Sequence, residues 1–285
     1  MIKIIVDSCC DTTEEMRDEI DLLIAPLKIS LSDGYEVVDS LDLDIENLLN
    51  RMQKSKWLKT NCPSVEDYYS LMERCDECIV ITLADFLSGS YNSACAAREM
   101  IIENYPDKKV YVLNSQSVAS GETLLALYID KLIKEGMSFE DITTKAEIFA
   151  EKMCTVFVLE DLGNMVRNGR IDKVTEKIIS LLNIYPILYK FKSKEIKVAA
   201  KVRGLKNSLN RMTNLIGEWT SPIKPKSIIL TMSQCCCFER AVELKDRILS
   251  ECNAIKDVII SATSGLSSVY ASRGGIVIAF LAESL

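Results

Sequence analysis

Between Cys78 and Ala97 the chain reads CIVITLADFLSGSYNSACAA, an apolar run that fits a buried strand, followed by a hydroxyl-rich turn, Ser88-Gly89-Ser90, that opens a helical segment. A helix N-terminus presents unpaired N–H groups with partial positive charge, so Leu87 to Ser93 is a candidate seat for an anionic group. A second stretch, Thr60-Asn61-Cys62-Pro63-Ser64, precedes another helix start. Leu162 to Ile171 sets Arg167 and Arg170 around a tight turn with Lys173 nearby, and Arg makes forked contacts with carboxylates and phosphates. Arg203 follows an apolar-alternating segment and could pair with a carboxylate in a cleft. Each feature also has a plain structural alternative. Ser88 or Ser90 serves as a helix cap, the arginine turn is a solvated basic loop, and Arg203 is a surface charge.

Other chemistry is excluded by residue types. The chain has no histidine, which removes Ser-His-Asp and Cys-His catalysis and His-ligated zinc, and leaves acid–base work to carboxylates, Lys, Tyr or Cys. A net charge of −7 without a dense Lys/Arg run argues against a nucleic-acid partner. Neither GxxxxGK[ST] nor GxGxxG occurs, and no cofactor is expected. Cys75-Asp-Glu-Cys78 precedes a strand rather than a helix, the wrong place to activate a thiol. Cys235-Cys236-Cys237 cannot readily wrap one metal, so these are read as buried small apolar residues and no metal site is expected. The N-terminus leads straight into a strand, with no apolar leader and no membrane span. A cytoplasmic protein with reduced thiols is therefore expected.

These segments sit in an alternating frame. Strands are predicted at 2–6, 22–31, 78–83 and 109–113, and helices at 12–20, 44–54, 65–74, 90–100, 123–135 and 138–153. Ser64 and Asp67 have near-capping-box spacing ahead of the third helix. The pattern is that of a mainly parallel α/β sheet, whose strand C-termini, including Asp7-Ser8, Ser88-Gly89 and Asn114-Ser115, are where such sheets bind ligands. The second half changes rhythm. It has a strand at 154–159, a short element at 161–169, a helix at 172–183, an antiparallel hairpin over 184–191 and 195–201, then helices 205–219 and 238–251 with strands 227–232, 257–261 and 275–281. Two domains are expected, an N-terminal α/β domain over 1–160 and a C-terminal α+β domain over 161–285, with 60–75 able to pack against the second.

Taken in order, the motifs resemble the DegV family of bacterial fatty-acid-binding proteins. Asp7-Ser8 stands at the first strand end, Thr60-Asn-Cys-Pro-Ser64 where the family has TSxPS, and Ser88-Gly-Ser-Tyr-Asn-Ser-Ala94 where it has SGTYQSA. Asn168-Gly-Arg-Ile171 corresponds to GGRI, and Ala200-Lys-Val-Arg203 to a later arginine. The resemblance implies two α/β domains with an acyl tail in an apolar tunnel between them and a carboxylate held by Thr60 and Ser88. Asn61, Gly89 and Ser93 would complete the two motifs, and Arg203 would lie nearby. It also implies no catalysis by the chain itself, but carriage of a long-chain fatty acid to a fatty-acid kinase for acyl-phosphate formation and lipid synthesis. Arg170 would face that kinase, and transient membrane contact is an accompanying expectation. On this reading Arg170→Ala spares lipid binding and abolishes phosphorylation.

Two positions depart from the family. Asn61 replaces a Ser or Thr, and the family's HxGPG histidine corresponds to Tyr270, with Arg273 three residues on as the alternative source of charge. The rival readings are a carrier of another apolar carboxylate and the substrate-binding subunit of a dihydroxyacetone-kinase-like enzyme, which holds its substrate through a histidine this chain lacks.

Overall fold

A four-stranded, fully parallel sheet in the order β2-β1-β6-β7 is built from β1 (Ile2–Asp7), β2 (Leu22–Ala25), β6 (Glu77–Thr82) and β7 (Lys109–Asn114). The structure, a computed structural model, describes residues 2–171 and 183–285. The helix expected at 172–183, with Lys173, therefore lies outside the described residues apart from Asn183 at its end. Strands β1 and β6 are almost continuously apolar because both faces are covered, as parallel sheets require. One face packs on α3 (Val65–Met72) and α4 (Ser90–Asn104). The other packs on α5 (Ser120–Lys134) and α6 (Phe139–Lys152). The capping box expected at Ser64 and Asp67 is formed in both directions.

A six-stranded mixed sheet carries the second half. Its order is β10-β9-β8-β13-β11-β12, from β8 (Met153–Val158), β9 (Ile184–Lys190), β10 (Lys197–Arg203), β11 (Ile228–Gln234), β12 (Ile255–Ala262) and β13 (Ile276–Leu281). Only β11 and β12 pair in parallel; the hairpin expected around Lys192-Ser-Lys194 is β9–β10. Its outer face is covered by α8 (Leu205–Thr220) and α9 (Phe238–Glu251). Helix α5 lies between the two sheets, reaching β1 and β6 on one side and β11 and β13 on the other. The buried Thr231 hydroxyl donates to the Ser120 carbonyl at 2.7 Å across that seam. The fold is thus layered helix, sheet, helix, sheet, helix, with β8 in the second sheet although it precedes the boundary expected at 160.

Three elements differ from the expectation. Pro26 cannot donate to a ladder, so the run 22–31 splits into β2 and a separate β3 (Lys28–Leu31). β3 joins β4 (Glu36–Val38) and β5 (Leu58–Asn61) in a small antiparallel sheet. The 60–75 segment divides accordingly, with Thr60 and Asn61 in this small sheet and α3 on the parallel one. A short helix, α10 (Gly265–Ala271), was not expected. Cys235 is buried as expected, but Cys237 is only half-buried and Cys236 is exposed in a left-handed turn with φ 51°.

Candidate functional site

Ser88 and Gly89 line a cavity of about 310 Å³, which the other strand ends, Asp7-Ser8 and Asn114-Ser115, reach only through the residues that follow them, Cys9 and Gln116. Its floor is the inner face of the mixed sheet, Thr155, Phe157, Leu159 and Val277. Its sides are the loops after β6 and β7, and α10 closes it with Leu266 and Tyr270. The lining is mostly apolar. At one end Thr60, Asn61, Ser88, Gly89, Arg170 and Tyr270 all border the space.

The frame that positions this end starts at Asp7-Ser8, neither of which lines the cavity. The Asp7 carboxylate accepts from Cys9 N at 3.0 Å and Leu83 N at 2.9 Å, which ties the β6 loop to the end of β1. The Ser8 hydroxyl donates to Asp39 at 2.8 Å and accepts from Leu27 N. Asp39 in turn accepts from Gly265 N at 2.7 Å and Leu266 N at 2.9 Å, the first turn of α10. A carboxylate at a helix N-terminus stabilises its unpaired donors, so Asp39 holds in place the short helix that carries Tyr270.

Tyr270 faces Thr60, with their hydroxyl oxygens 2.9 Å apart. Ser88 both caps and lines: its Oγ accepts from Ser90 N at 3.2 Å and sits 3.0 Å from Ser90 Oγ while bordering the cavity. Gly89 lets the two motif loops approach, since a Cβ there would meet Cys62 Sγ at 3.1 Å. Arg170 is half-buried. Its Nε donates to the Leu87 carbonyl at 3.2 Å, its Nη1 to the Asn168 carbonyl at 2.5 Å, and its guanidinium lies 5.9 Å from the Tyr270 ring centroid. It therefore borders the cavity instead of standing clear of it, as a purely partner-facing residue would.

Three other expected positions are not brought in. Ser93 sits one turn into α4, with its hydroxyl 3.9 Å from Cys62 Sγ and outside the lining. Arg203 is exposed at the end of β10, opposite Ile184 at the far end of the hairpin, because the antiparallel register carries it away. Arg273 turns outward into a bidentate pair with Glu46, at 2.6 and 2.9 Å, so it supplies no charge at Tyr270.

The sequence reading passed over Lys190. It lines the cavity, is only 4% exposed, and donates to Gln116 Oε1 at 2.9 Å. Burial pulls its ammonium down to about 8. Gln116 and Ala119, which flank the serine turn beside it, hold left-handed φ values of 55° and 52°. Such conformations in non-glycine residues are costly, and here they cluster on the cavity wall.

Behind the site lies a buried acidic cluster. Burial pushes the Asp7 and Asp11 carboxyls up to about 6, and raises Glu122 well above the usual carboxylate range with Asp7 adding repulsion. Both Glu122 oxygens are fully buried, with no hydrogen-bond partner among the described residues. Because their folded pKa values exceed the unfolded ones, Asp7 and Asp11 contribute stability below about pH 4 that is lost as pH rises through about 6, and the Glu122 shift has the same sign. Raising Asp7 and Asp11 from 3.8 to about 6 corresponds to on the order of 2–3 kcal/mol each as an upper bound. The urea midpoint should therefore be higher at pH 5 than at pH 7.5. Glu122→Gln, which has no proton to lose, should narrow the difference on the alkaline side. A midpoint that rises between those pH values would contradict this balance.

Comparison with known proteins adds to this geometry. A family model described as "Uncharacterised protein, DegV family" matches residues 1–283. A DegV domain-containing protein of Streptococcus pyogenes serotype M1 is 30% identical over 282 residues, covering 98% of both chains. A DegV-family crystal structure from Ruminococcus gnavus, refined with vaccenic acid, is 36% identical with a TM-score of 0.89, covering 98% of this chain and 99% of that one. One from Eubacterium eligens, loaded with heptadecanoic acid, is 28% identical with a TM-score of 0.90 and covers 99% and 100%. The Streptococcus pneumoniae Fatty Acid Kinase (Fak) B3 protein, loaded with linoleic acid, is 29% identical with a TM-score of 0.89, again covering 99% and 100%.

Proposed function

Because the chain belongs to the DegV family, we propose that it binds a long-chain fatty acid in the cavity and hands it to a separate kinase, without catalysing a reaction itself. The observation that carries this reading is the combination of a mostly apolar cavity with one end where hydroxyls stand beside an arginine. Thr60, Tyr270 and Ser88 would hold the carboxylate by hydrogen bonds, with Asn61 and Arg170 completing the end. Relatives of 28–36% identity that carry vaccenic, heptadecanoic or linoleic acid support the ligand class, and the Fak B3 relative supports the kinase.

The energetics suit a carrier. Burying about fifteen methylene or methyl groups at ~0.8 kcal/mol each supplies on the order of 12 kcal/mol as an upper estimate. Association costs of about 4–15 kcal/mol offset much of it. The tail thus provides affinity, and the polar end fixes orientation, since an unpaired carboxylate in a dry pocket is costly. The Thr60 and Tyr270 hydroxyls, 2.9 Å apart, can both reach one carboxylate, which would exchange their mutual hydrogen bond for one donated by each hydroxyl.

Native mass spectrometry of delipidated protein after loading with palmitate or stearate tests the proposal. A retained mass of one fatty acid is the expected result. Absence of any adduct after loading would overturn it.

A further inference from the structure

The end of the cavity away from Arg170 is not the hydrocarbon surface that a plain methyl terminus prefers. Strand β8 carries Thr155 and Phe157, and Leu159 follows its end toward α7 (Gly163–Arg167) and the turn bearing Arg170. Alternate residues on one face are about 6.8 Å apart, so Thr155 lies roughly 13–14 Å back from Leu159 along the strand. There it pairs in register with Lys190 on β9, and its hydroxyl oxygen is 2.5 Å from that of Ser117. Thr155, Ser117, Gln116 and Lys190 all line the cavity.

Lys190 is the telling member. Its ammonium has three donors and spends one on Gln116 Oε1; among the described residues it forms no ion pair, and Asp85, which favours its charge from farther off, pairs with Lys194 at 3.9 Å instead. A saturated tail laid against it would seal a charged group in hydrocarbon with donors unmet, which costs more than the burial of a methyl group returns. An oxygen acceptor at that place answers both the charge and the donors.

Resting on the fatty-acid reading above, we propose that this cavity is built for a long-chain acid whose tail carries an oxygen function, a hydroxyl, keto or second carboxylate oxygen, received by Lys190 with Gln116 and Thr155. Lys190 is then a specificity-determining residue. Calorimetric titration of the delipidated full chain with stearate, 10-hydroxystearate, 12-hydroxystearate, 18-hydroxystearate and octadecanedioate tests this, and the arms separate a neutral from an anionic tail group. At least one oxygenated acid is expected to bind tenfold or more tighter than stearate. In Lys190→Met that advantage should vanish while stearate binds at least as well as before. Stearate binding as tightly as every oxygenated acid in the wild-type protein overturns the proposal without recourse to any variant. So does an advantage that survives in Lys190→Met. Failure of all five acids to bind instead overturns the fatty-acid reading and this inference with it.

Discussion

In a Val277→Trp variant, affinity for a C16 or C18 acid should fall by roughly 100- to 300-fold while the protein stays folded. Val277 lies near the centre of the mixed sheet, between Phe157 on β8 and Ser233 on β11, and its side chain points into the cavity rather than into the apolar layer under α8 and α9. The indole therefore grows into space that is already there, and the overpacking penalty of a filled core does not apply. It takes the room of about four methylenes. At ~0.8 kcal/mol each, losing them costs about 3 kcal/mol, or about 200-fold in affinity. Titration with a chain-length series checks the mechanism as well as the size. Octanoate, which needs less of the cavity, should lose far less than stearate. Equal losses for both, or no loss for stearate, would mean that the acyl chain lies elsewhere.

What the sequence made legible follows the range of the interactions involved. The α/β frame is local: apolar runs at strand spacing, caps such as Ser64, and the Ser88 turn are all set by neighbours in the chain. The Ser88 turn was visible for the same reason, whereas Thr60 was singled out only through the resemblance of its motif to the family's. α10 was not, because GLSSVYA contains little helix-forming tendency and its first turn is held by Asp39, some 226 residues away. Lys190 was hidden in Tyr-Lys-Phe-Lys-Ser-Lys, which reads as a solvated hairpin tip. Only its pairing opposite Thr155 turns it inward. Arg203 failed in the opposite sense, since its position after an alternating strand suggested a cleft but the register carries it to the exposed end. Strand periodicity tells which residues share a face; it does not tell which face the fold will cover.

The same distinction bears on Arg170. Read as a turn residue it is a docking point; in the fold it reaches back 83 residues to the Leu87 carbonyl and stands over Tyr270, at the only guanidinium lining the cavity among the described residues. A carboxylate drawn up to Thr60 and Ser88 would leave water, and a charge-assisted hydrogen bond of about 1.5–3 kcal/mol is what Arg170 can return to it. Arg170→Met should therefore weaken binding of palmitate by roughly 10- to 150-fold. The methyl ester, which carries no charge to compensate, should bind the two proteins alike. Lys at this position keeps the charge but not the fork that also grips Leu87 and Asn168, so Arg170→Lys should fall between. If palmitate binds Arg170→Met as it binds the wild type while phosphorylation by the kinase is lost, the residue belongs to the partner's surface and the carboxylate is held by hydroxyls alone. A loss confined to the free acid assigns it to the ligand, and any defect in phosphorylation then has to be measured at saturating lipid before it says anything about docking.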